Sequence, residues 1–167
     1  MQNEVLDDMV KRTKEDAASA LDVLKSQYGG DKSNLEAALN DYASYVMVSS
    51  SIFKLKKEGG NADAISALKK LEKSLEANII KRGNEDGANY LYDFSMAHGS
   101  TSKGLDSKET KNVDNAVGAF IKARIVQDER QIRDMGLSEQ DVLLSNMQKA
   151  GETVKDIGDE MAKVVIV

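Results

Sequence analysis

No proline occurs anywhere in the 167 residues of this chain. Proline is the residue that most reliably ends a helix, because it lacks the amide donor and its ring collides with the preceding turn. Without it, only glycine and local capping side chains interrupt helical propagation. The strand alternative needs β-branched or aromatic runs with period two, and only the "VVIV" run at 164–167 has that character. A predominantly helical chain follows.

Hydrophobic spacing divides that chain into segments. Val10, Thr13, Ala17, Ala20, Leu24 and Gln27, widened by Leu6, Met9 and Leu21, follow a 3-4 rhythm that Gly29-Gly30 closes. "SNLE" at 33–36 has capping-box spacing and opens a second helix through Leu35, Leu39, Tyr42, Val46, Ser49 and Phe53 to "KKEGG". Its "YASYVMVSSSIF" stretch is apolar on more than one face, as expected of a very buried helix or of one that offers a second face to a partner. Asn61 caps a third helix striped by Ile65, Leu68, Leu71, Leu75 and Ile79, ending at "KRG", 81–83. A short fourth helix covers about 86–98 and a fifth runs from Ser107 or Lys111 to Met135, with Val113, Val117, Phe120, Ile121, Ile125 and Ile132 inside. In the sixth, Leu143, Met147, Ala150, Val154, Ile157, Met161 and Val164 keep a 4-3 rhythm over about three heptads, behind a weaker capping box at 138–141.

Short Gly-containing connections imply antiparallel neighbours. The expected fold is therefore all-α: an antiparallel up-and-down bundle of five or six helices with a long C-terminal helical hairpin. The length suits a single domain over 1–167, able to bury roughly two thirds of its unfolded surface. A sub-division is also expected, with a four-helix part at 1–98, a flexible loop at 99–106 and a two-helix hairpin at 107–167.

Composition narrows the chemistry. The chain has no cysteine and one histidine, His98, so disulfides, thiolate metal sites and His-rich zinc sites are excluded, and no metal ligand is assigned. Di-iron bundles need two Glu-x-x-His motifs, which one histidine cannot supply. The 23 basic and 28 acidic residues form no cationic block, which argues against a nucleic-acid partner. No run approaches the ~18 apolar residues of a membrane span. "MQNEVLDDMVKRTKED" lacks a positive start followed by an apolar run, so the expected location is the cytoplasm, or outside the cell by a route without a cleaved signal peptide.

Four local patterns invite functional readings. "HGSTSKG", 98–104, is rich in small polar residues but has the Lys-Gly order reversed from a phosphate-binding loop and no preceding strand. "RGNEDGANYLYD", 82–93, places Asn84, Asp86, Gly87 and Asp93 at calcium-loop positions, with Arg82 where the first ligand belongs and Asn89 where an apolar residue belongs. An Asn/Asp/Gly turn capping a helix accounts for the same letters. Glu152, Asp156 and Asp159 lie along a side of the sixth helix away from its apolar stripe, as a solvated face does. Ser95, Ser100, Thr101 and Ser102 flank His98 without a nucleophile-elbow pattern, so no catalytic residue is assigned and no enzyme is expected.

What remains is apolar helical surface. The candidate interaction residues are Val154, Ile157, Met161, Val164, Val165 and Ile166, since an apolar end such as "KVVIV" is unusual in water. The expected function is a non-enzymatic helical protein that binds another protein or assembles with itself, as a homo-oligomer or hetero-complex, with no cofactor. By the absence of Cys, Trp and Pro alone, the composition resembles that of exported helical assembly proteins such as those of flagellar and related secretion systems. The alternative is a bundle holding haem or a hydrophobic ligand near Tyr42, Phe94, Met96 and His98. There His98, at the end of an apolar helix, resembles the proximal histidine of globins, and Phe53 is a loose candidate for the packing aromatic.

Overall fold

A computed structural model of the chain describes residues 3–99 and 106–135. Among these residues the chain is all-helical, without a strand: α1 (Asn3–Tyr28), α2 (Lys32–Lys57), α3 (Ala62–Asp86), α4 (Tyr90–Gly99) and α5 (Ser107–Met135). The expected sixth helix and C-terminal hairpin fall outside the described residues. None of the described helices is long and apolar enough to cross a membrane.

Two antiparallel pairs organise the fold. α1 lies against α5, as the Arg130–Asp7 ion pair at one end and the Asn112–Gln27 hydrogen bond at the other require. α2 lies against α3, with Asn34 hydrogen-bonded to the Arg82 carbonyl near one end and Ser49 to Glu72 further along. α4 packs on α5 and α3, and α5 also touches α2, which joins the pairs.

Burial follows the helical stripes. Leu6, Thr13, Ala17, Leu21 and Leu24 of α1 are buried, as are Leu68, Leu71, Leu75 and Ile79 of α3. Two separate core clusters result. The larger joins α1, the first half of α2, Ile79 of α3, Tyr90 and Phe94 of α4, and Val113 to Phe120 of α5. The smaller holds Val48, Ile52, Ala67, Leu68, Leu71 and Leu75, all from α2 and α3.

The second half of α2 departs from the expected register. Val48 and Ile52 are buried there, whereas Phe53 is 70% exposed and Val46 only half-buried. The stretch is apolar on two sides, and α3 covers the side carrying Val48 and Ile52. Phe53, about 100° further around the helix, is left outside it. Ile125 of α5 is likewise exposed rather than inside, and the buried positions there are Val126 and Asp128.

Helix ends are set by caps. Asp31, not Ser33, caps α2: its side chain accepts from the Ser33 and Asn34 amides at 2.8 and 3.1 Å. Asn61 caps α3 as its sequence position implies. Asp106 and Glu109 form a reciprocal capping box at α5, each side chain accepting from the other's amide. The α3 stop is Gly87, left-handed at φ 67°, and not Gly83, which is buried inside the helix. A Cβ at Gly83 would stand 2.6 Å from the Ala88 carbonyl oxygen, so only glycine lets the chain turn so closely into α4.

Candidate functional site

Two surfaces and one partly buried network stand out among the described residues. The first surface is a groove of about 710 Å³ between α1, α2 and α5, to whose lining α3 adds Arg82. Ala17 and Leu21 of α1 and Phe120 and Ala123 of α5 supply its apolar wall, and Lys14, Asn40, Asp41, Ser44, Arg82 and Arg124 its polar one. These charges stand there because they continue the helical stripes. Arg124 and Asp128 follow Phe120 at four-residue steps, and Asp41 sits between Leu39 and Tyr42.

Arg124 is the centre of this wall. Its Nε donates to Asp128 at 3.2 Å and Nη1 to Ser44 Oγ at 2.9 Å, while Nη2 is buried without a hydrogen-bond partner. Arg82 Nε donates to Asp41 at 3.2 Å and Nη1 to Asn34 Oδ1 at 3.3 Å. Burial pushes the pKa of Asp41 above the ordinary carboxylate value, and Arg82 and then Arg124 pull it only part of the way back. Hydrophobic periodicity does not reveal this cluster; its readable signal is charged residues at stripe positions.

The buried network links α1, α2, α3 and α4. Tyr28 donates to Asp93 at 2.8 Å and Tyr90 to Asp86 at 2.5 Å, and Asn34 Nδ2 also donates to Asp86. Tyr28 meets Tyr90 edge-on at 5.2 Å, Tyr90 stacks on Phe94 at 5.4 Å, and Phe94 meets Tyr42 at 5.6 Å. Desolvation first, then the acidic partner, raises the hydroxyl pKa of both Tyr28 and Tyr90. Asp86 moves the other way: desolvation, the largest single effect, opposes its ionisation, but the hydrogen bonds with Tyr90, Asn34 and the Asp31 backbone together outweigh it.

This network uses the letters of the calcium-like stretch for structure. Asn84 and Asp86 lie on α3, Gly87 ends it, Arg82 engages Asp41, and Asp93 receives Tyr28. Among the described residues, no three acidic, histidine or cysteine side chains gather as a metal would need. Two members of the alternative ligand pocket, Tyr42 and Phe94, are buried and pack directly against each other. Phe53 is exposed in the second half of α2, apart from their cluster. His98 stands in the last turn of α4 by its backbone, and its side chain lies outside the described residues.

The second surface is apolar and shallow. Tyr45, Val46, Ser49, Ser50 and Phe53 line about 350 Å³ on α2; Tyr45 and Val46 pack partly against the larger core, and the strip runs on from them to Phe53 beside the core of α2 and α3. Ser49 donates to Glu72 at 2.6 Å, fixing α3 to one side of the strip. Tyr45 is half-buried beside it, its pKa pushed up to about 12 by desolvation and by the neighbouring Glu76. Sequence periodicity had assigned Val46 and Phe53 to the core. The candidate interaction residues Val154, Ile157, Met161, Val164, Val165 and Ile166, and the acidic trio Glu152, Asp156 and Asp159, lie outside the described residues.

Set against known protein families, curated proteins and solved structures, the chain matches none of them.

Proposed function

We propose that this chain is a non-catalytic helical protein that works by association through helix faces, and that the occupant of its exposed α2 face is a second copy of the chain. The carrying observation is Phe53, a large aromatic side chain 70% exposed beside Val46 and Tyr45. Burying such a side chain is worth roughly 1.5–3 kcal/mol, and a charged residue there would serve a purely solvated helix better. A stable interface needs about 800 Å² per partner, more than this strip offers alone.

The chain itself offers the remainder. The heptad spacing from Leu143 to Val164, with Val165 and Ile166, supports a sixth helix that forms a hairpin with α5 and completes an up-and-down bundle. A chain bearing both an exposed apolar strip and an amphipathic segment can pair reciprocally with its copy, each subunit giving the same two surfaces.

Sedimentation of the full chain, beside Phe53→Ser and Ile157→Asp variants, tests the reading. The wild type is expected at a multiple of 18.2 kDa, with self-association weakened about tenfold or more in each variant. A wild type that stays at 18.2 kDa across the accessible concentrations overturns it.

A further inference from the structure

The groove between α1, α2 and α5 is not used by the association reading, and its chemistry points elsewhere. Buried polar atoms in folded proteins nearly always have partners, and an orphan guanidinium N–H marks strain, a water or a missing ligand. Nη2 of Arg124 is such an orphan, on a side chain whose other two nitrogens are held by Asp128 and Ser44. Arg124 is among the residues that line the groove, while Nη2 itself is buried, so a ligand meets the unused N–H pair by displacing the guanidinium. Lys14, on the facing helix, is exposed and carries a second positive charge into the same lining. Ala17 and Leu21 follow Lys14 along α1 and Phe120 stands one turn before Arg124 on α5, so in this antiparallel pair the apolar groups lie further along the same groove from the two cations.

Two cationic donors at one level of a groove whose apolar side chains lie further along it suit one kind of molecule. We infer that the groove binds a small amphipathic carboxylate, its charged end on Arg124 and Lys14 and its apolar body against Leu21 and Phe120. The carboxylate oxygens accept the N–H pair that the protein leaves unsatisfied, a charge-assisted bond. The volume of about 710 Å³ is in the range of small-molecule sites and fits a medium-length chain. Asp128 and Asp22 already pair with Arg124 and Lys32, and Glu36 and Asp41 also line the groove, so long-range attraction is weak and selectivity rests on the local donor and the apolar groups.

Titration calorimetry of the full chain with octanoate, octanol and inorganic phosphate as probes tests this, with the Arg124 Nε–H signal followed by NMR. Octanoate is expected to bind at least about tenfold more tightly than octanol or phosphate and to shift the Arg124 signal. Arg124→Gln is expected to abolish that preference for octanoate. Since Arg124→Gln also removes the hydrogen bonds to Ser44 and Asp128 and can fail to fold, Lys14→Glu at an exposed position serves beside it, with octanoate binding weakened about tenfold. Equal binding of octanol, equal binding of phosphate, no binding of any probe, or octanoate binding unchanged in Lys14→Glu each overturns the inference. In the case of no binding, Nη2 is satisfied by water alone.

Discussion

Between Leu35 and Tyr42, α2 shares a core with residues of α1, α3, α4 and α5, whereas between Val48 and Ile52 its core comes from α3 alone. The helix is the same and its apolar content does not fall along its length. What changes is the number of neighbours, and with it the fate of the second apolar side: Tyr42 is enclosed, while Phe53 meets solvent. An amphipathic pattern reports how much surface a helix wants covered but not which neighbour covers it. A helix apolar on two sides, half of it enclosed and half covered on one side only, is the feature from which the association reading grows.

The comparison can be broken first at the enclosed end. Phe94→Ala removes a fully buried ring that touches both Tyr90 and Tyr42, and about 3–5 kcal/mol of global stability is expected to go with it in urea unfolding. Leu71→Ala, in the two-helix core, is expected to cost about 2–4 kcal/mol. Its loss appears mainly as faster hydrogen exchange in 45–57 and 62–75, leaving α4 and α5 protected. Equal loss of protection across all helices in both variants would show one cooperative unit and remove the distinction.

The next effect belongs to the corner that joins the two ends. Gly83→Ala forces a methyl to 2.6 Å from a backbone oxygen, and a cost of about 2 kcal/mol or more is expected in thermal unfolding. No measurable cost would mean that α4 shifts freely on α3.

Alkaline pH sharpens the same contrast. Tyr28, Tyr42, Tyr45 and Tyr90 all have pKa values raised in the fold, chiefly by desolvation. A raised pKa means the folded state holds its proton more tightly. The stabilisation is therefore complete below the unfolded tyrosine pKa of about 10 and is lost as pH rises through it toward the folded values. Tyrosinate absorbance is expected to show Tyr45 ionising near 12 ahead of Tyr28 and Tyr90, which titrate only as the enclosed end unfolds. A single smooth titration near 10 with the helices intact would contradict the burial of the network. The smallest effect on the isolated chain is expected from Phe53→Ser, within about 0.5 kcal/mol, because little of that ring is buried.

Much of this fold was legible in the residues, and the failures have physical causes. The α3 stripe of Leu68, Leu71, Leu75 and Ile79 is apolar on one side only, so periodicity placed it correctly. α2 is apolar on two sides, and spacing alone could not choose between Val46-Phe53 and Val48-Ile52. Ile125 failed for a related reason: Val126 and Asp128 take the buried positions of α5, with Asp128 paired to the half-buried Arg124. Cap misreadings were local contests between similar letters, with Asp31 preceding Ser33 and Gly87 following Gly83. Asp106 and Glu109 have the same three-residue spacing as a Ser-Glu capping box and were readable by it. The groove was hardest to see, because its lining comes from four helices and only the packing brings Lys14, Ser44, Arg82 and Arg124 together.

The central claim is that the half of α2 covered by α3 alone is an association surface. Hydrogen exchange over 47–57, measured as protein concentration is raised, addresses it directly. Protection of this segment is expected to grow with concentration while that of 35–42 stays constant, and Phe53→Ser is expected to remove the dependence. Protection of 47–57 independent of concentration in the wild type would contradict it.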